Sequence, residues 1–147
     1  MNDQKYYTPT IEEFHVGFEC EIFNANSEWF PIVFTKGHLY NDLKFTDKFE
    51  DSFDNAFRVK HLDREDIESI GFSLEDSRCG NRLGEGYSRY VYGESRNHPY
   101  IVIDNFPGTH KFRIFELLEE GGVSINLFNG IIKNKSELKR LMKQLGI

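Results

Sequence analysis

Cysteine is scarce in these 147 residues, with only Cys20 and Cys79 present. Two thiols are too few for a disulfide framework, and neither has a second Cys or a His at metal-clip spacing. A stapled extracellular scaffold and a zinc ribbon are therefore excluded, and a reducing compartment is expected. Long apolar runs are missing as well, so no segment reaches membrane-spanning length. The start, MNDQKYY, lacks the basic residues followed by an apolar stretch that a secretory signal needs. Basic excess is also lacking: 18 Lys and Arg face 24 Asp and Glu, a net charge of −6. That argues against wholesale coating of nucleic acid or an anionic membrane, while leaving room for a local basic site. The expectation is a soluble, cytoplasmic protein.

Catalytic signatures are absent too. Gly84-x-Gly86 is too short for a phosphate loop, no calcium-loop spacing occurs, and the five histidines are scattered singly. An enzyme is the less favoured class, and no cofactor is expected. There is no internal repeat, low-complexity tract or linker.

Aromatic residues are abundant, with 14 Phe and 7 Tyr at 15% aromatic content, which marks a chain that folds. The length predicts a single domain spanning 1–147. Thr8-Pro9-Thr10-Ile11-Glu12-Glu13 predicts one helical turn, with Thr8 as cap and Pro9 at the first helical position. Phe14, Val16, Phe18, Cys20 and Ile22 alternate with polar residues and predict a half-buried strand. A second strand over 29–35 puts Phe30, Ile32 and Phe34 on one face, with Pro31 marking an edge, and the two form a hairpin. The stretch 38–55 is left open, because Phe45, Phe49, Phe53 and Phe57 recur every four residues, a spacing that suits helix or strand. Residues 56–61 predict a strand, and Asp63 caps a short helix that Gly71 ends.

Residues 78–97 are rich in Gly and Arg, with a short strand near 90–92. Three strands at 100–104, 111–117 and 123–128 follow, joined by short links that favour an antiparallel meander. The chain closes with Asn134 as a cap, Glu137 in capping-box position, and Leu138, Leu141, Met142 and Leu145 on one helical face. The predicted fold is α+β: mainly antiparallel sheet of about five to eight strands, short helices, and the C-terminal amphipathic helix packed on the sheet. Charge is divided along the chain, because Lys133, Lys135, Lys139, Arg140 and Lys143 against Glu137 give 133–147 a net +4 and leave −10 elsewhere.

Three runs are similar to a known family: YYTPTIEEFHVGFE at 6–19, RVKHLDREDIESIGF at 58–72 and IKNKSELKRLMKQLGI at 132–147. They resemble small proteins of Bacteroidota phages and prophages, a family without an assigned activity. The resemblance implies a viral or prophage origin and the cytoplasm of a bacterial host, and it carries over no functional residue. Residues 38–55 and 78–97 lie outside it.

The candidate binding surface is the 78–100 region, where Arg78, Arg82, Arg89 and Arg96 interleave with Tyr87, Tyr90, Tyr92 and Tyr100. Arginine with tyrosine and glycine suits base stacking and phosphate contact, and equally a protein interface; the bland alternative is a long loop with its tyrosines packed inward. A secondary basic surface is Lys135, Lys139, Arg140 and Lys143, also explicable as the solvated face of a docking helix. Glu19 and Glu21, with His15 further back, are weak candidates for a divalent metal against the simpler reading of a solvated strand face. Asp63, Glu65, Asp66 and Glu68 are explained by capping and the helix dipole. Cys79, between Arg78 and Arg82, is the better nucleophile of the two thiols, but no Cys-His signature accompanies it; Cys20 reads as a core residue.

The function expected is a non-enzymatic interaction protein, a phage or prophage accessory factor that contacts a host or viral protein. A single-stranded nucleic-acid binder using the 78–100 loop is the alternative, a virion component is a third reading, and a small hydrolase or metal-dependent nuclease ranks last.

Overall fold

Alternation of side chains obliges each strand to send one set inward, and in the computed structural model those sets converge on two separate cores. The structure describes residues 5–23, 26–41, 56–75, 88–92, 100–106, 109–118 and 123–147. They divide into two compact units, Met1–His61 and Leu62–Ile147. The fold is α+β with wholly antiparallel strand pairing, in a four-stranded and a five-stranded sheet. Periodicity identified most of these strands but carried no information about which sheet each one joins.

The first unit runs β1 (Tyr6–Tyr7), a 3-10 turn (Ile11–Glu13), β2 (Glu19–Phe23), β3 (Trp29–Val33), α1 (Lys36–Asn41) and β4 (Phe57–Lys60). Its sheet order is β1-β4-β2-β3, so β3 is an edge, as Pro31 suggested. The N-terminal turn starts two residues later than predicted: the Thr10 N–H donates to the Glu13 carboxylate at 3.2 Å, and Pro9 precedes the turn. The strand predicted from Phe14 begins only at Glu19. Gly17 takes φ +90°, a left-handed conformation natural to glycine, and the Phe18 N–H donates to the His15 carbonyl at 3.0 Å. This turn leaves Val16 54% exposed and delivers Phe14 and Phe18 to a core with Cys20, Phe34 and Val59. Phe14 meets Phe34 and Phe57 edge-on at 4.8 and 5.3 Å, a geometry that sets positive ring edge against negative ring face. Beyond α1, residues 42–55 of the phenylalanine-periodic stretch lie outside the described residues.

The second unit runs α2 (Arg64–Ser69), β5 (Phe72–Leu74), β6 (Ser88–Tyr92), β7 (Tyr100–Phe106), β8 (Lys111–Leu117), β9 (Ser124–Ile131) and α3 (Lys135–Leu145). The strands form a meander in chain order. Asp63 caps α2, its Oδ1 accepting from the Asp66 N–H at 3.0 Å. Gly71 ends the helix at φ +101°, and a Cβ there would lie 2.8 Å from the Tyr92 ring, so glycine is required twice over. Strand β5 follows at once; its three residues are too few to show a period.

Helix α3 covers one face of this sheet. Leu138 and Met142 are buried with Ile67, Phe72, Tyr90, Ile103, Phe112 and Ile114, and Leu141, Leu145 and Ile147 pack against the same cluster. Asn134 Oδ1 accepts from the Glu137 N–H at 2.9 Å, while the Glu137 carboxylate reaches the Lys133 N–H at 2.6 Å, one residue before the cap. At the other end the Ile147 N–H returns to the Met142 carbonyl at 3.0 Å. No helix among the described residues is long and apolar enough to cross a membrane.

Leu138 is fully buried, so Leu138→Ala is expected to cost about 2 to 5 kcal/mol. Loss of the cap in Asn134→Ala is expected to cost about 0.5 to 2 kcal/mol. Urea denaturation followed by circular dichroism measures both.

Candidate functional site

The side of the four-stranded sheet that faces away from its phenylalanine core carries one row of side chains across all four strands. Register sets Glu21 opposite Arg58 and Phe23 opposite Trp29, while Tyr6 pairs with Lys60 on the same side. The Arg58 guanidinium carbon lies 4.0 Å from the Tyr6 ring centre and 4.3 Å from that of Trp29. Its Nε donates to the Glu21 carboxylate. Phe23 extends the row, its ring 5.0 Å from Trp29.

Each aromatic contact to a guanidinium contributes about 0.5 to 1 kcal/mol at an exposed site, and the half-exposed ion pair about 1 kcal/mol or less. Their larger consequence is geometric. Two rings and a carboxylate fix a long side chain that would otherwise sample many rotamers, so little ordering remains when something docks on it. Phe23 at 43% and Val33 at 54% exposure lie on the same face and supply apolar area beside the stack. Tyr6, Arg58, Trp29 and Phe23 belong to neither of the surfaces predicted from sequence. Their signal was present: hairpin register places Trp29 opposite Phe23, and Glu19 and Glu21 mark this side as the solvated one.

Of the 78–100 surface, Arg78, Arg82, Tyr87 and Arg96 lie outside the described residues, as does Cys79. Tyr90 points into the core of the second unit, 3% exposed. Arg89 points to the other side of its sheet, where Asp104 is fully buried. Asp104 Oδ1 accepts from Arg89 Nε at 2.8 Å, and its Oδ2 accepts from Arg113 Nη2 at 2.7 Å. Both guanidinium groups also approach the Phe115 ring, at 5.5 and 4.9 Å. The arginine of this cross-strand triad therefore serves to neutralise a buried carboxylate.

Tyr92 is 39% exposed and meets the basic helix. Together with Ile70, Met142, Ile147 and Lys139 it lines a cleft of about 120 Å3. Thus one residue from each predicted surface, Tyr92 and Lys139, ends at the same place. Lys139, Arg140 and Lys143 are on the exposed face of α3, and Lys135 is half-buried.

His15, Glu19 and Glu21 are not assembled into a set of ligands. His15 sits in the turn before β2 with Nδ1 3.0 Å from the Val16 carbonyl, and Glu21 is engaged by Arg58. Among the described residues no group of three or more His, Cys, Asp or Glu is placed to hold a metal ion. Cys20 lies in the first core, where burial, reinforced by the Glu21 charge, pushes its thiol up to about 12.

Comparison with protein-family models, with curated proteins and with solved structures produced no match.

The buried thiol holds its proton more tightly when folded, so it lowers stability as pH rises from the ordinary 9.0 towards about 12. In a Cys79→Ser chain, iodoacetamide at pH 9 is expected to modify Cys20 on the order of a hundredfold or more slower when native than in denaturant. Asp104→Asn leaves two partly exposed guanidinium groups around a neutral amide, and a loss of about 1 to 3 kcal/mol in urea denaturation is expected.

Proposed function

We propose that this chain is a non-enzymatic interaction protein that binds another protein through the outer face of its four-stranded sheet. The observation that carries this reading is the Arg58 guanidinium held between Tyr6 and Trp29 beside exposed Phe23. Trp, Tyr and Arg are the residue types that dominate binding energy at interfaces, because each pairs a large contact area with a directional polar or cationic group. The charges on this face, Glu19, Glu21, Arg58 and Lys60, cancel, which suits a partner that brings apolar area rather than phosphate. The resemblance of 6–19, 58–72 and 132–147 to phage and prophage proteins supports a viral accessory factor acting on a host or viral protein in the bacterial cytoplasm. Tyr6 and Arg58 belong to the resembling runs.

Two of the residues on which the nucleic-acid alternative rested are otherwise engaged, Tyr90 in the core and Arg89 on Asp104.

The test is affinity capture by tagged chain from a nuclease-treated bacterial lysate. A stoichiometric protein partner is expected with the wild type. Trp29→Ala and Arg58→Lys are each expected to weaken it at least about tenfold, the lysine because it keeps the charge and loses the planar stack. Lys139→Ala with Lys143→Ala should leave capture unchanged. A partner retained by both sheet variants, with folding verified by circular dichroism, would reject this face.

A further inference from the structure

The four outer strands of the two sheets differ sharply in what they offer a further strand. Strand β1 has two residues and β5 three, too short to template a ladder. Just past β3 the Phe34 N–H donates to the Phe18 carbonyl and the Gly17 N–H to the Phe34 carbonyl. By alternation Pro31 then turns its missing donor to the open side, which blunts that edge. Strand β9 has eight residues, SINLFNGI, with no charge and no proline. Ile125 and Ile131 are 47% and 59% exposed, and β8 is its only partner among the described strands. A long, uncharged, exposed edge is a template for strand addition.

The register identifies which backbone groups are open. The Ile132 N–H donates to the His110 carbonyl, so Phe128, Gly130 and Ile132 face β8, and Asn129 and Ile131 face outward. At the other end the Leu118 N–H donates to the Val123 carbonyl, so Val123 and Ile125 face β8, and Ser124 and Asn126 face outward. The change of parity comes from a bulge: Ile114 pairs with Phe128 and Phe115 with Asn126, which leaves Leu127 as the extra residue.

We propose that β9 pairs with β9 of a second copy of this chain, antiparallel, about a two-fold axis between Leu127 and Phe128. In that register Ser124 faces Ile131 of the copy, and Asn126 faces its Asn129. Open groups therefore meet open groups in both halves of the strand despite the bulge. The same pairing keeps sheet faces matched. Ser124, Asn126, Asn129 and Ile131 are on the side of Arg113 and Phe115, while Ile125 meets Gly130 on the helix side, where no side chain opposes it. Symmetry selects the direction. A two-fold axis along the strands, which parallel pairing needs, would join the helix side of one sheet to the Arg113 side of the other, whereas the antiparallel axis keeps each side continuous. Two chains of net charge −6 thus meet along a neutral edge. A single strand pair buries little area, so the dimer is a weak one.

The test is sedimentation equilibrium of the full chain from about 10 to 500 μM, the range that suits a weak contact. The wild type should rise towards twice the chain mass. N126E/N129E sets Glu opposite Glu at both Asn pairs and should stay monomeric, while N126K/N129E sets Lys opposite Glu and should recover the dimer. All of these positions are exposed, so unchanged circular dichroism is expected throughout. A wild type that stays monomeric overturns the pairing of copies. Equal masses for the two double variants overturn the register.

Discussion

A meander of antiparallel strands must hide one apolar face, and in residues 62–147 helix α3 does so with α2. Leu138 and Met142 meet Ile103, Phe112 and Ile114 because the helix keeps its apolar stripe on one side and its lysines on the other. From this one contact follow the main surfaces of the unit. The basic face of α3 is what remains when the stripe is buried. The cleft at Tyr92 and Lys139 lies where the helix ends against Ile70 and Ile147. Among the described strands β9 has no second partner, because a helix laid on a face covers side chains and leaves the backbone groups at the sheet margin untouched.

The opposite side of the same sheet is organised by charge. Asp104 has no exposure, and removing a carboxylate from water costs several kcal/mol unless donors replace it. Arg89 on β6 and Arg113 on β8 flank it in register, one on each neighbouring strand, so the ladder itself brings the compensating groups. Such a triad stabilises little compared with an apolar packing of the same volume. Its effect is on specificity: a slip of one residue in either strand would bury the carboxylate unpaired.

The first unit places its binding chemistry by the same rule. Its core is a phenylalanine cluster, and the other side of the sheet holds an arginine immobilised between two rings. Core and candidate surface are alternate positions of the same strands: Val59 buried and Arg58 outward, Cys20 buried and Glu21 outward on Arg58. The edge devices of the two sheets also contrast, since Pro31 closes one margin and the uncharged run of β9 leaves the other available.

Much of the fold was legible in the residues because the relevant signals are local. The capping pair Asn134 and Glu137, the Asp63 cap, the Gly71 stop, the β2–β3 hairpin and the β7–β9 meander each depend on side chains a few positions apart. Where reading failed, a backbone conformation intervened: Gly17 turned the chain inside an alternating run, and β5 was too short to show a period. The candidate surfaces were less legible. Tyr90 and Arg89 share a composition that suits ligand binding, yet adjacent strand residues face opposite ways, and only the sheet showed that one enters a core and the other neutralises Asp104. The sequence by itself determined most of the strands, the Asp63 and Asn134 caps and the division of charge, all of which arise from near neighbours. Tertiary structure alone decided the partition into two sheets, the Tyr6–Arg58–Trp29 stack and the parity of the β9 edge, because each requires residues far apart in the chain to be brought into register.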